Sequence, residues 1–308
     1  MNINLPSSEC AGGVVGLLVN GGTVENVTVS GNVTAGRGNA GIVGRMTVSG
    51  TIKDCVNEAT IVGLLSGGNT AGIVGAAYNT AEGKEMTIVN CTNNGAVTGL
   101  YGVGGIVGLS AANVSGCENY GAITGNSASV GGIVGEQQNY GSIKNCTNYA
   151  DIVNNTANTG AYGTGGIVGW VRYSGAASAY PLKGIITVEG NRNEGSVTTG
   201  GASAGGIVGH VYNAAVVTNN VNTAAEIGSA NFAAGIVGSI QVDDDNSFLE
   251  DTYRIKIEYN ASTTATENIT GPCKDQYAYN NLGDSSKLVF ENNFASEDEL
   301  NGALENIA

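Results

Sequence analysis

The sequence predicts an all-β protein: a parallel β-solenoid (β-helix) of about eight coils with a small C-terminal cap. Three observations lead there. First, a five-residue segment, Gly/Ala-Gly-Ile/Val-Val-Gly, occurs eight times, ending at Gly16, Gly44, Gly75, Gly108, Gly135, Gly169, Gly209 and Gly238, with spacings of 28, 31, 33, 27, 34, 40 and 29 residues. A recurring unit of that length marks an array whose repeats stack on their neighbours. Second, the chain has 50 glycines but only three prolines, with 42% hydrophobic and 12% charged residues. That balance excludes collagen and disorder and favours strands joined by tight turns. Third, the segments between pentapeptides align on one frame, Val/Ile-x-x-Cys-x-Asn-x-Gly/Ala-x-Val/Ile.

Each part of a coil follows from that frame. Cys55, Cys91, Cys117 and Cys146 share one position, and Asn57, Asn93, Asn119 and Asn148 lie two residues on. Ile61, Val97, Ile123 and Ile152 follow six residues past the cysteine. Even offsets in extended chain point to one face, here assigned to the interior. Val27, Asn191 and Asn220 replace the cysteine in other coils, where Asn193 and Asn222 keep the asparagine. Three residues before the cysteine an aliphatic recurs (Val24, Ile52, Ile88, Val114, Ile143, Val188, Val217). That odd offset breaks strand parity and predicts a corner. Three short strands per coil are therefore expected, one of them the pentapeptide. A single coil buries too little apolar surface to fold alone, so stability must come from stacking.

Insertions follow Gly169 (WVRYSGAASAYPLKG, the longest), Gly75 and Asn154. Residues 1–240 are assigned to the solenoid and 241–308 to an acidic cap. In the cap, FLEDTYRIKIEY and KLVFENNF read as strands. Ser296 with Glu299 reads as a capping box for a short helix over roughly 297–306. The first pentapeptide leaves no room for an N-terminal cap, so the solenoid is expected to continue upstream in a longer polypeptide. The segment MNINLPSSECAGG has neither the basic stretch nor the apolar core of a signal peptide.

The net charge is −14, concentrated in residues 241–308, which hold 14 acids against 4 bases. An acidic, lysine-poor surface argues against nucleic acid and anionic lipid as partners. No apolar run reaches the roughly 18 residues needed to span a bilayer, so direct membrane insertion is not expected.

The combination of Gly-Gly-Ile-Val-Gly with Asn-Cys-x-Asn-x-Gly-x-Val-x-Gly resembles the GLUG repeat of bacterial surface proteins, over about residues 11–240. The resemblance implies a right-handed β-solenoid in a large secreted or wall-attached protein. Some such proteins are adhesin-like, and some carry the repeat beside an immunoglobulin-A protease domain. It implies an extracellular location, flanking domains, and host or microbial glycans or surface proteins as partners. It brings no catalytic residues, and the chain has no His-Glu-x-x-His motif.

Candidate chemistry is then weighed residue by residue. The four aligned cysteines read as a buried thiol ladder, with disulfides between adjacent coils as the other possibility; a line of single thiols cannot surround a tetrahedral metal. Cys10 and Cys273 fall outside it. The asparagines Asn57, Asn93, Asn119, Asn148, Asn193 and Asn222 read either as a hydrogen-bonded ladder or as supports for the following bend. His210, the single histidine, has no nucleophile beside it in sequence and reads as a rim or core residue. Asp54, Glu58, Glu118 and Glu136 are expected to face solvent, with Arg37 and Arg45 close to the first two. Asp243, Asp245 and Asn246 read as a solvated acidic turn in preference to a calcium loop.

For ligand binding the leading candidates are Trp170, Arg172, Tyr173, Tyr180 and Lys183 on the longest insertion, where exposed rings with polar neighbours suit sugars or a protein. The competing reading has those rings cover the base of the loop. Tyr120 and Tyr149 share one position in consecutive coils and are expected to stack. No cofactor or metal is implied. The function expected is a non-catalytic adhesion or spacer module. The alternative is a polysaccharide-active, pectin-lyase-like β-helix enzyme, for which acidic and basic residues should converge on one face of three adjacent coils. Ice binding ranks last, because the threonines keep no Thr-x-Thr register.

Overall fold

The computed structural model describes residues 1–308 except 67, 81–83, 159, 161, 174–184, 214, 242–254, 271–273, 276–277, 281–287 and 307–308. It is a solenoid whose strands pair in parallel from coil to coil. The first face runs from Val15–Val19 through Val43–Val48, Val74–Thr80, Val107–Ser110, Val134–Gln138, Val168–Arg172, Val208–Tyr212 and Val237–Gln241 to Ala278–Asn280. The second runs from Gly22–Glu25 through segments such as Gly50–Lys53 and Ile186–Glu189 to Leu288–Glu291. A third, larger sheet gathers the remaining strands, among them Val56–Gly63, Thr92–Asn93 and Val97–Gly104. At about 4.8 Å per level, the nine strands of the first face, counted among the described residues, span about 40 Å.

The core is a set of aliphatic columns in register. Ile52, Ile88, Val114, Ile143, Val188 and Val217 stack on one face, and Ile61, Val97, Ile123, Ile152, Val197 and Ile227 on another, all essentially without exposure. The corner between the aliphatic and the cysteine column is a single left-handed residue. Asn26, Asp54, Asn90, Gly116, Asn145, Gly190, Asn219, Tyr259 and Asn292, each just before that column, have φ between +51° and +67°. Eight of these nine, all but Tyr259, are Asn, Asp or Gly, the types that reach this region at least cost.

The pentapeptide is a corner and not a strand. In the second coil Asn39–Ala40 ends a strand of the large sheet, Gly41 and Ile42 form the bend, and Val43 opens the first face. The bend has a packing cause. A side chain at Gly41, Gly72, Gly105, Gly132, Gly166 or Gly206 would run into the amide of Asn57, Asn93, Asn119, Asn148, Asn193 or Asn222 of the same coil. Glycine and asparagine columns are thus two halves of one contact.

The solenoid continues past the boundary expected at residue 240. Ile255–Glu258 pairs with Ala215–Thr218, Ala261–Ser262 with Val221–Asn222, and Ile269–Thr270 with Ile227–Gly228. Leu288–Glu291 then lies on Ile255–Glu258. The tail lacks the pentapeptide but keeps the corner. The helix Glu297–Glu305 begins at Ser296, whose hydroxyl accepts from the Glu299 N–H at 3.3 Å. Its Leu300 packs on Val221 and Ala261, and Glu297 meets Arg192 at 2.8 Å, so the helix lies on the flank of three coils. Among the described residues no helix is long and apolar enough to cross a membrane.

Candidate functional site

Inside the stack the polar groups are consumed by the stack itself. The Nδ2 of Asn57 donates to Asn93 Oδ1 at 2.7 Å, and the same bond links Asn93 to Asn119, Asn119 to Asn148, Asn148 to Asn193 and Asn193 to Asn222 at 2.7–3.0 Å. The second N–H of Asn57, Asn93, Asn119, Asn148 and Asn193 closes the following bend, donating to the carbonyl two residues on, as in Asn93 to Gly95 at 2.9 Å. Ladder and bend support are therefore one role. Asn222 ends the row on the hydroxyls of Ser262 and Thr264.

Cys55, Cys91, Cys117 and Cys146 are buried free thiols, and Cys10 is free as well; Cys273 lies outside the described residues. The thiol–thiol contact to Cys117 is the largest cause pushing the Cys91 thiol up to about 12, so it carries no nucleophilic thiolate at neutral pH. Below Cys146 the column becomes a second amide ladder, Asn191 to Asn220 to Asn260 to Asn293, with bonds of 2.9–3.0 Å. Asn260 and Asn293 escape sequence analysis because no pentapeptide precedes them. The signal was present in the tail as aliphatic-x-x-Asn around Ile257 and Phe290-x-x-Asn293.

Titratable groups gather instead on the outer side of the first face. Glu136, Trp170, His210 and Ser239 stand in one register row of four successive coils. Glu136 was expected in solvent but is fully buried, because the segment leading into each pentapeptide folds back over this face. Tyr101 on that segment donates to Glu136 Oε2 at 2.7 Å, Gln138 donates to Oε1 at 2.5 Å, and Arg172 Nη1 stands at 3.9 Å. Burial pushes the Glu136 carboxyl above the usual carboxylate range, against the pull of those three partners. Burial also raises the Tyr101 phenol, with Glu136 adding to it.

His210 has a partner that sequence proximity does not reveal. Its Nδ1 lies 2.6 Å from Ser239 Oγ, one coil on, and that hydroxyl donates to Ser203 Oγ at 2.7 Å. Burial lowers the imidazole to about 4, so it is neutral at pH 7. The His210 Nε2 and the Trp170 Nε1 are both buried with no hydrogen-bond partner among the described residues.

The insertion-loop candidates do not form an exposed aromatic surface. Trp170 and Tyr173 are 7% and 8% exposed. The Trp170 ring is edge-packed by Tyr162 at 5.2 Å and lies under the Arg172 guanidinium at 5.1 Å. Tyr180 and Lys183 lie outside the described residues, as do Asp243, Asp245 and Asn246. The exposed rings are elsewhere: Tyr120 and Tyr149 stack at 4.4 Å with 9° between planes, 48% and 39% exposed. Among the described residues no three of His, Cys, Asp and Glu come together as metal ligands would.

The family model of the GLUG motif matches residues 7–34 and 126–153. Curated proteins give no match. Among solved structures the chain is similar to one titled "putative immunoglobulin A1 protease" from Bacteroides ovatus, at 18% identity and a TM-score of 0.38, over 84% of this chain and 67% of that one. The chain thus carries two GLUG motifs on a β-solenoid whose coils share one frame of glycine, asparagine and aliphatic columns.

Proposed function

We propose that the chain is a non-catalytic extracellular module of a bacterial surface or secreted protein, serving as a rigid spacer and adhesive element beside other domains. The observation that carries this reading is the unbroken stack. Every residue type fixed by the repeat is used to hold coils together, which is the requirement for a stiff rod. Location and host or microbial partners rest on the GLUG repeat alone.

One observation favours the other class. Glu136, Arg172 and His210 converge on one face of three adjacent coils, the arrangement a polysaccharide-active β-helix needs. Against it stands access: Glu136 is 0% and His210 3% exposed, and a glycosidic bond must reach its acid directly.

Incubation with immunoglobulin A and a panel of neutral and acidic polysaccharides separates the two. The spacer reading expects no new peptide, reducing or unsaturated ends. Product formation that disappears in Glu136→Gln would transfer the chain to the enzymes. For adhesion, an array of glycans with the intact protein and with Tyr120→Ala reads whether the exposed ring pair is the contact.

A further inference from the structure

The outer side of the first face differs along its length. Around Glu136 and Trp170 the rings of Tyr101, Tyr162 and Tyr212 pack over it. In the second to fourth coils the corresponding outward positions are Arg45, Ala76 and Leu109, in register with Glu136. Small Ala76 leaves a cavity of about 240 Å³, lined also by Glu9, Arg37, Asn69 and Tyr78.

Its charge is unusual for this chain. Lys53, Lys144, Arg172 and Arg192 each have a carboxylate oxygen within 4 Å, at 2.6, 2.7, 3.9 and 2.7 Å. Arg37 and Arg45 have none among the described residues; Lys84 and Lys256 also have none, but the two arginines share one cavity in a protein of net charge −14. Arg45 is held in place by the Tyr78 ring, its guanidinium carbon 4.5 Å from the centroid. The half-buried Asn69 lines the same cavity.

We propose that this cavity binds an acidic sugar residue, a pyranose bearing one carboxylate. The two guanidiniums take the carboxylate, for which their forked donors are suited. The exposed Glu9 is an acceptor and requires a hydroxyl donor on the same ligand, which a bare anion does not have. Ala76 and Leu109 supply the apolar floor that a ring's C–H face needs. The volume lies below the roughly 300–1,000 Å³ of pockets for drug-sized ligands, so one residue enters, as the end or a side branch of a glycan. The site goes beyond the spacer reading and does not depend on it.

The test is an NMR titration of the whole chain with D-glucuronate, with D-glucose and acetate as controls for charge and ring. Saturable glucuronate binding is expected, with glucose and acetate about tenfold weaker or more. Arg37→Gln and Arg45→Gln should each weaken glucuronate about tenfold. Ala76→Leu, which fills the floor and keeps both arginines, should abolish it. Arg37 is exposed, so its variant keeps the fold even if the buried Ala76 variant melts early. Absence of saturable glucuronate binding, equal binding of acetate, or binding unchanged in Arg37→Gln and Arg45→Gln overturns the proposal.

Discussion

At the scale of single residues, this protein keeps polar side chains inside only where the neighbouring coil completes them. Asn119 shows the principle from both sides: it accepts from Asn93 and donates to Asn148 and Gly121. Asn119→Ala leaves a buried donor and a buried acceptor unpaired, each worth about 1–3 kcal/mol. A loss of about 2–5 kcal/mol in urea unfolding is expected, and a smaller one for Asn57→Ala at the ladder's end. His210 gives a pH prediction with a definite sign. Its folded value of about 4 lies below the ordinary 6.5, so the unfolded chain binds the extra proton first. Stability is intact above pH 6.5 and falls toward pH 4, by up to about 3 kcal/mol. Glu136 works in the opposite direction, since its raised value favours the fold as carboxylates protonate. With one histidine in the chain, the imidazole proton signal reports this directly. It should stay neutral at pH 5.5 in the folded protein, and His210→Asn should flatten the acid limb of the stability curve.

At the scale of elements, the coil is defined by its corners more than by its strands. One corner is the left-handed residue before the Cys/Asn column; the other is the Gly-Ile bend against the asparagine ladder. Asn145 has φ +53°, and a β-branched residue there meets the Cβ–carbonyl clash. Asn145→Val is expected to cost about 1–2 kcal/mol, while Asn145→Gly stays within about 1 kcal/mol of the parent. Thermal unfolding of the two variants side by side checks the corner assignment, because equal loss in both would mean that side-chain contacts and not φ decide. The outer side of the first face is the element where coils differ. Around Glu136 and Trp170 it is packed with aromatic rings, and around Ala76 it opens on an arginine-lined cavity.

At the scale of the molecule, stability is close to a sum of coil-to-coil contacts, so the tail's role can be read from its removal. Deleting residues 255–308 takes away the strands paired with Val216–Thr218 and the Asn260 partner of Asn220. The expected outcome is a lower melting temperature and soluble oligomers in size-exclusion chromatography, since an open parallel edge recruits other chains. Unchanged melting would mean that the tail is a separate cap, as residue composition suggests, and not the continuation of the stack.

The fold was legible in sequence because stacking imposes it locally: each coil repeats the same glycine, aliphatic and Cys/Asn positions, and parity alone sorts inside from outside. The tail's coils kept only Ile257-x-x-Asn260 and Phe290-x-x-Asn293, too little to register without the ladder they extend. The candidate sites were not legible. Trp170 and Glu136 read as exposed because alternation along a strand predicts which face a residue takes, not whether another segment lies over that face. His210 and Ser239 are 29 residues apart, and Arg37, Arg45 and Asn69 meet only through the stacking of two neighbouring coils. Sequence by itself determined the architecture and the ladders, since those follow from the period. Tertiary structure decided which outward residues are sealed and which open on a cavity, since that depends on how neighbouring coils of unequal content lean on one another.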